Sequence, residues 1–324
     1  MEPGYLETTK KVYKGAALNP KAGLCCTTTP VWQLPDLSIP KKMLSMNYGC
    51  GSTVHPRDLV NSPTVLYVGV GGGMELLQFA YFSRRPNAVI GVDAVEEMIE
   101  VCKENLVTAS SQNSWFNPEY VQLRYGDALH LPLEDESIDV SAQNCLFNIF
   151  TDHDLKIALS EMYRVLKPHG RLILSDPVSD TEIPKHLKND NNLRALCLSG
   201  ALPLHEYIKL ITATGFGTIE VRARRPYRIL DPDHYPIDST IYIESVELCA
   251  IKDPVPGDGP CVFTGKTAIY FGTDECFNDK KGHMLMHNQP LSICDKTARN
   301  LVALKRKDIF ISPSTWFYDG GGCC

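Results

Sequence analysis

The chain has 324 residues, of which 44% are hydrophobic and 22% charged, so it is long enough for one large globular domain plus a small one. Its formal net charge of −6 argues against the long-range attraction that a nucleic-acid binder needs. No apolar run has the length of a membrane span, and the opening letters MEPGYLETTKKVYKG lack the pattern of a secretory signal. We therefore expect a cytoplasmic protein with neither a nucleic-acid nor a membrane partner.

Twelve cysteines are many for such a protein, because the cytoplasm keeps thiols reduced and disulfides are then a poor explanation. No C-x-x-C pair is present, which argues against the usual structural zinc knuckles. Two adjacent pairs, Cys25-Cys26 and Cys323-Cys324, stand near the ends of the chain. The cysteines therefore need another role.

Strand-like and helix-like patterns alternate through residues 61–176. Buried strands such as TVLYVGV and AVIGVD are each followed by an amphipathic or apolar helix pattern. This alternation predicts an α/β fold with a doubly wound, Rossmann-like sheet and a ligand at the carboxyl ends of its strands. The later runs GTIEVRARR and TIYIESVELCAIK predict two further strands that form an antiparallel edge.

We divide the chain into an N-terminal cap segment (1–60), a main domain (61–252), a linker (253–260) and a small C-terminal α+β domain (261–324). The boundary rests on the letters DPVPGDGP, which are dense in Pro and Gly. The last domain ends in a Gly-Gly-Gly-Cys-Cys tail that cannot hold a regular element. The cap segment lacks the periodicity of the main domain, and we expect it to fold over the open end of the sheet.

A glycine-rich turn, with Gly69 and Gly71, follows the first predicted strand. Such a turn lets the backbone approach a ligand and points helix amides at it, but it serves dinucleotides and S-adenosylmethionine equally well. Asp93 ends the second strand, where a carboxylate can bind ribose hydroxyls, and Asp127 ends the third, where it can accept from an adenine amino group. Either aspartate could instead be an ordinary cap or turn residue.

The ordered combination of GVD, GDA and RVLKPHGRL resembles the class I S-adenosylmethionine methyltransferases over about residues 60–250. One departure is Tyr67, which stands where that family often carries an acidic residue, so the contact to the methionine end of the cofactor is left unassigned. The resemblance implies S-adenosyl-L-methionine as cofactor, bound by Gly69, Gly71, Asp93, Asp127, Ala128 and Asn144.

Cys145 ends the fourth predicted strand, where this fold places groups beside the transferable methyl. A single cysteine among apolar neighbours is commonly an inert core residue. However, Cys25, Cys26 and Cys50 in the cap segment and Cys197 beyond the fifth strand could converge on the same mouth. Thiolates bind soft acceptors such as trivalent arsenic, whose lone pair is a nucleophile that needs no general base.

The whole chain also resembles the arsenite S-adenosylmethionine methyltransferases, in particular the longer type associated with arsenosugar synthesis. The matching stretches are GLCCTTTP, MNYGCGSTVHP, QNCLFNIF, LCLSGA, FTGKTAIYFG and the closing GGGCC. The resemblance implies that Cys145 and Cys197 hold arsenic, while Cys50 and one of the Cys25-Cys26 pair, for which we favour Cys26, form a redox thiol pair. It further implies an external thiol reductant, glutathione or thioredoxin, as co-substrate.

Two alternatives stay open at this point. One is a class I methyltransferase for a carbon or oxygen acceptor such as a quinone, and the other is a thiol-rich metal-binding or redox protein on a Rossmann-like scaffold. Cys102 and Cys249 fall on a helix and an edge strand, where packing explains them. No role is predicted for Cys261, Cys276 or Cys294, and the Cys323-Cys324 pair is a candidate auxiliary thiol site.

Overall fold

A computed structural model describes residues 4–21, 24 and 33–318. The cysteines of the two adjacent pairs, Cys25, Cys26, Cys323 and Cys324, lie outside these ranges. The predictions made for them are therefore not addressed by the structure.

The helices are α1 (Tyr5–Leu18), α2 (Lys41–Ser45), α3 (Met74–Ser83), α4 (Glu96–Gln112), α5 (Asp152–Val165), α6 (Lys185–Lys188), α7 (Asn191–Ala195), α8 (Leu204–Ala213) and α9 (Asp295–Ala303). The strands are β1 (Val65–Val68), β2 (Val89–Asp93), β3 (Val121–Tyr125), β4 (Ile138–Asn144), β5 (Leu166–Ser179), β6 (Leu202–Pro203), β7 (Thr218–Leu230), β8 (Ile241–Ile251), β9 (Cys261–Phe263), β10 (Lys266–Tyr270), β11 (Cys276–Asn278), β12 (Met284–Met286), β13 (Leu291–Ile293) and β14 (Ile309–Ile311).

The large sheet has nine strands, eight of them in the order β3-β2-β1-β4-β5-β8-β7-β9, with β6 paired to β5. Strands β1 to β5 run parallel, whereas β8 is antiparallel to both β5 and β7. The predicted doubly wound sheet is thus confirmed, and β7 and β8 are antiparallel as predicted, but neither is the edge of the sheet, because β9 pairs parallel to β7 beyond them. Because the order reverses between β1 and β4, the carboxyl ends of these two strands border a crevice where such folds bind ligands.

Helices cover both faces of the sheet, and successive residues of each strand point to opposite faces. In β1, Val65 and Tyr67 join one apolar cluster, and Leu66 and Val68 join the other. Residues of α3 and α4 belong to the first cluster, and residues of α5 and α8 belong to the second. Because both faces of β1 are buried, the strand has no polar face and its sequence is an uninterrupted apolar run.

The N-terminal cap segment contains a helix that the sequence pattern did not indicate. Helix α1 packs against α4 and α7, and it buries Thr9, Ala16 and Ala17. Its small buried residues let the helix approach its neighbours closely, but they give little apolar periodicity to detect. The helix lies over the carboxyl ends of the parallel strands, where the cap was expected.

The C-terminal part is α+β, as predicted. Strands β13, β10 and β14 form a three-stranded antiparallel sheet, and β11 and β12 form a hairpin-like pair. Helix α9 packs on β9, β10 and β14. Strand β9, directly after the predicted linker, instead extends the large sheet by pairing parallel to β7. The division at residues 253–260 stays a prediction. Among the described residues, no helix combines the length and apolar composition needed to cross a membrane.

Candidate active site

A cavity opens at the carboxyl ends of β1, β2 and β4, where it encloses about 1000 Å³ with its mouth included. Helix α1 contributes one wall through Leu6, Thr9, Lys10 and Tyr13. The cavity is therefore formed jointly by the sheet and the N-terminal cap. The predicted cofactor residues Gly69, Gly71, Asp93, Asp127, Ala128 and Asn144 and the predicted arsenic ligand Cys145 all line it.

The glycine turn between β1 and α3 shapes the floor of the cavity. Gly69 and Gly71 have φ angles of 83° and 52°, in the left-handed region that favours glycine. A side chain at either position would be strained, so this path of the backbone depends on glycine. The turn leaves space for a ligand next to the amino end of α3.

Asp93 closes β2 and connects that strand to the glycine turn. Its two carboxylate oxygens accept hydrogen bonds from the backbone amides of Val70 and Val95, each at 2.9 Å. Burial raises the pKa of Asp93 to about 6, although these amide hydrogen bonds act in the opposite direction. Since Asp93 lines the cavity, its carboxylate is a candidate acceptor for hydrogen bonds from a ligand.

Asp127 and Ala128 form the turn after β3. The Oδ1 atom of Asp127 accepts from the amide of Leu129 at 3.0 Å, which is the local turn geometry that an aspartate commonly provides. Ala128 is buried beside it. Asp127 is therefore a turn residue that also lines the cavity. Its contact with a ligand stays a prediction.

Asn144 ends β4 and holds a loop of the cap segment. Its Oδ1 accepts from the amide of Cys50 at 2.9 Å, and its Nδ2 donates to the carbonyl oxygen of Gly51 at 2.9 Å and to Glu75 Oε1 at 3.0 Å. Both amide protons of the side chain are therefore engaged within the chain. Asn144 was predicted to bind cofactor, and these contacts give it a positioning role for Cys50 and Glu75.

Glu75, in the first turn of α3, was not predicted from the sequence. It lines the cavity but is only 7% exposed, and it accepts hydrogen bonds from Asn144 and Tyr67. Burial raises its pKa, and those hydrogen bonds offset part of that effect. Glu75 therefore brings a carboxylate next to Tyr67, the position where the family often carries its own acidic residue. The signal in the sequence was a lone Glu at the start of the apolar run MELLQFAYF.

Three of the predicted cysteines come together at the end of β4. The Sγ of Cys197 donates to the carbonyl oxygen of Cys145 at 2.7 Å, and the backbone of Cys50 is tied to Asn144, the residue before Cys145. The Sγ of Cys50 lies 3.4 Å from Ser175 Oγ, and Ser245 Oγ donates to the Cys50 carbonyl at 2.6 Å. Loops from the cap, from β4 and from the segment after β5 thus bring their cysteines together.

The backbone at two of these cysteines is unusual. Cys145 and Cys197 have φ angles of 61° and 59°, a region that costs a residue with a side chain about 1–2 kcal/mol. Such conformations persist where the surrounding structure enforces them, and they concentrate at functional sites. The left-handed residue directly after β4 turns the chain so that Cys145 borders the cavity.

The three cysteines lie on neighbouring segments, but their side chains do not form a metal site. Within residues 4–21, 24 and 33–318, no group of three or more His, Cys, Asp or Glu side chains is arranged to hold a metal ion. The Sγ of Cys197 is hydrogen-bonded to the Cys145 carbonyl, so Cys197 must release that oxygen before its sulfur can share a ligand with Cys145. This requires a side-chain rotation and no change of fold.

Cys102 and Cys249, for which packing was the expected role, lie inside the layers of the fold, and the strand that carries Cys249 is interior rather than at the sheet edge as predicted. Cys102 on α4 and Cys249 on β8 are completely buried. Burial raises the pKa of Cys249 to about 12 and that of Cys102 well above the usual range. Neither thiol is suited to bind a ligand as thiolate.

Residues 60–231 match the family described as "Methyltransferase domain". The arsenite methyltransferase of Aquipseudomonas alcaligenes is 29% identical over 293 residues, which cover 87% of this chain and 82% of that protein. The arsenite methyltransferase of Mus musculus is 31% identical over 174 residues, or 53% of this chain and 45% of the mouse protein.

Among solved structures, an arsenic(III) S-adenosylmethionine methyltransferase from Chlamydomonas reinhardtii superposes with a TM-score of 0.60 at 23% identity, covering 89% of this chain and 99% of that one. This likeness shows the shared fold, and the relatives confirm the resemblance predicted from the sequence. Since the family match spans more than half of the residues, the chain belongs to the methyltransferase-domain family.

Proposed function

We propose that this protein is an S-adenosylmethionine-dependent methyltransferase whose acceptor is trivalent arsenic, as arsenite or methylarsenite, bound by Cys145 and Cys197. The observation that carries the proposal is the meeting of Cys50, Cys145 and Cys197 beside a cavity lined by carboxylates. The relatives named arsenite methyltransferase support it. The products would be methylated arsenicals, for detoxification or arsenosugar synthesis.

The cavity fits the proposed cofactor. Its left-handed glycine turn provides a close backbone approach, Asp93 and Asp127 provide acceptors, and Glu75 provides a buried carboxylate. We assign Asp93 to the ribose hydroxyls, Asp127 to the adenine side, and Glu75 to the ammonium of the methionine end, which Tyr67 cannot bind as an anion. When bound, S-adenosylmethionine would supply an electrophilic methyl group for attack by the arsenic lone pair.

Cys145 and Cys197 prepare the acceptor. Each thiol exchanges for one oxygen ligand of arsenous acid, so that two S–As bonds form and two waters leave. In the ligand-free protein, the Cys197 thiol donates a hydrogen bond to the Cys145 carbonyl, which keeps the Cys197 sulfur near Cys145. Because the lone pair of arsenic carries the reactivity, the site needs no general base at the methyl acceptor.

Cys50 is assigned to the reduction that follows. Methyl transfer leaves arsenic formally pentavalent, and two thiols can return two electrons to it while they lose two protons and form a disulfide. Cys50 lies beside the acceptor site, and Cys26, outside the described residues, is the proposed second thiol. An external thiol, glutathione or thioredoxin, would restore the pair by disulfide exchange, which is compatible with a reducing cytoplasm.

The deciding experiment is an assay of the purified protein with arsenite, glutathione and S-adenosylmethionine, followed by chromatographic separation of arsenic species. Methylated arsenic in amounts that match the S-adenosylhomocysteine formed would support the proposal. The same reactions with a demethylated quinone test the alternative acceptor. No methylated arsenic at any thiol concentration, with cofactor binding intact by calorimetry, would contradict the arsenic assignment.

A further inference from the structure

Two cysteines without a predicted role meet at the edge of the large sheet. Cys261 begins β9, and Cys294 is the N-cap residue of α9. Their thiols are hydrogen-bonded to each other, and both belong to a small apolar cluster with Phe263 and Tyr318. No disulfide joins them. The fold of the C-terminal part thus assembles a dithiol from two separate elements.

The surroundings of Cys294 favour a thiolate. Its Sγ lies 3.2 Å from Thr297 Oγ1, in the first turn of a nine-residue helix whose amino end carries positive partial charge. Lys296 lies within electrostatic reach of both thiols, and its Nζ also contacts Asp258 Oδ1 at 2.6 Å. A thiol close to a lysine at a helix amino end is the environment in which reactive cysteines are found.

This environment distinguishes Cys294 from Cys102 and Cys249. The hydrogen bond from Cys261 is the main cause that lowers the pKa of Cys294, whereas burial raises the pKa of Cys102 and Cys249. All of these side chains are almost fully buried. Burial alone therefore does not explain the difference, and the polar partners of Cys294 do.

The dithiol is separate from the methyl-acceptor site. Strand β9 is four positions from β4 in the sheet order, a separation on the order of 19 Å at the usual strand spacing. Cys261 retains 6% exposure, and Tyr318 stacks on Phe263 with ring centroids 4.6 Å apart. Binding of a small ligand to these sulfurs would therefore require side chains of this cluster to move.

We propose that Cys261 and Cys294 form a second binding site for trivalent arsenicals that carry two exchangeable oxygen ligands. Two adjacent thiols suit this ligand class because each replaces one oxygen: two S–As bonds form, two As–O bonds break, and two waters leave with the thiol protons. No oxidant or reductant is consumed. The inference rests on the proposed function only for the source of the arsenical, and it gives the C-terminal part a role in holding substrate or product.

The test uses the reduced full-length chain without cofactor and phenylarsine oxide as the probe. After incubation, free thiols are alkylated with iodoacetamide and quantified by peptide mass spectrometry. We expect alkylation of both Cys261 and Cys294 to fall by about tenfold or more, and to recover when a competing small dithiol removes the probe. Cys276 on β11, a single partly exposed cysteine of the same C-terminal part, is the matched control and should be alkylated equally in both samples.

A variant sharpens the result. In Cys294→Ser, Cys261 should lose its protection, because one remaining thiol cannot chelate the probe. Equal alkylation with and without phenylarsine oxide in the wild-type chain would overturn the inference, as would thiols that never react with iodoacetamide. Since no cofactor is present, protection that persists while the arsenite assay fails would refute only the proposed function. Intact methylation without protection would refute only this second site.

Discussion

Two groups of buried cysteines in this protein contrast with each other. Cys145, which lines the cavity, and Cys197 both have left-handed backbones, and the Cys197 thiol donates a hydrogen bond to the Cys145 carbonyl. Cys102 and Cys249, inside the layers of the large sheet, have no exposure and thiols whose pKa burial raises. The two groups are almost equally inaccessible, so the exposed fraction of a cysteine does not indicate its chemistry.

The difference lies in the chain geometry. Near the cavity, the Cys50 thiol contacts the Ser175 hydroxyl, the Cys197 thiol contacts the Cys145 carbonyl, and the backbones of Cys145 and Cys197 adopt conformations that cost free energy. Within the layers, Cys102 lies on a regular helix and Cys249 on a regular strand, and burial raises the pKa of both thiols even though charged groups such as Arg222 act on Cys249. Backbone conformation, rather than burial, therefore distinguishes the two groups.

The largest expected effect comes from Cys145→Ser. Loss of one proposed arsenic ligand should reduce methylarsenical formation by about a thousandfold or more, since removal of a group that holds the reacting atom abolishes most catalysis. Calorimetry should show that cofactor affinity is unchanged. Cys249→Ala is the matched control with near-normal turnover, and equal activity of the two variants would erase the contrast between the groups.

A second prediction concerns the carboxylate beside the mouth. Glu75→Gln should weaken binding of S-adenosylmethionine by about 10- to 100-fold, because a hydrogen bond to a charged group contributes about 1.5–3 kcal/mol. The glutamine can keep an acceptor for Asn144, so unfolding should change little. Glu100→Gln, at an exposed position of α4, is the control. Unchanged affinity in Glu75→Gln would remove Glu75 from the methionine end.

The third prediction uses the pKa of Asp93, which burial raises to about 6. Below that pH the free carboxyl is protonated and loses its acceptor charge, so cofactor affinity should fall by about tenfold per pH unit from pH 6 downward and level off above pH 7. Calorimetric titrations between pH 5 and about 8 would measure this profile. Asp93→Asn should bind the cofactor weakly at every pH. If this variant kept the pH dependence of cofactor affinity, that dependence would belong to another group.

The smallest effect is expected inside the sheet. Cys249→Ala leaves a void about the size of one sulfur atom, so the free energy of unfolding should fall by about 1 kcal/mol. Urea denaturation followed by circular dichroism would measure the change. A loss of arsenic binding in this variant, with folding intact, would mean that the interior cysteines are not merely packing residues.

Much of the sheet could be predicted from the sequence because its signals are local. Alternating apolar strands and amphipathic helices indicate the parallel order, and the glycine turn and Asp93 follow strand ends that can be identified by eye. The predicted position of Cys145 after β4 rests on the same regularity. Cavity residues could therefore be predicted from the sequence where they directly follow a strand with a clear apolar pattern.

The rest depends on contacts between distant segments. Helix α1 is stabilised by small residues packed on α4 and α7, which leave a weak periodic signal. Glu75 gains its role from Asn144 and Tyr67, and Cys261 meets Cys294 only because β9 joins β7 at the sheet edge. Spacing along a chain does not encode such meetings, so these features needed the folded structure.

Helix α1 lies against the proposed cofactor cavity and against the helix that leads to Cys197. It lines the cofactor cavity through residues such as Lys10 and Tyr13, and it packs on α7, which ends two residues before Cys197. A ligand that stabilised the position of α1 at one site would favour binding at the other site by the same free energy, because such coupling is reciprocal. Each ligand would then bind more tightly to a protein that already holds the other.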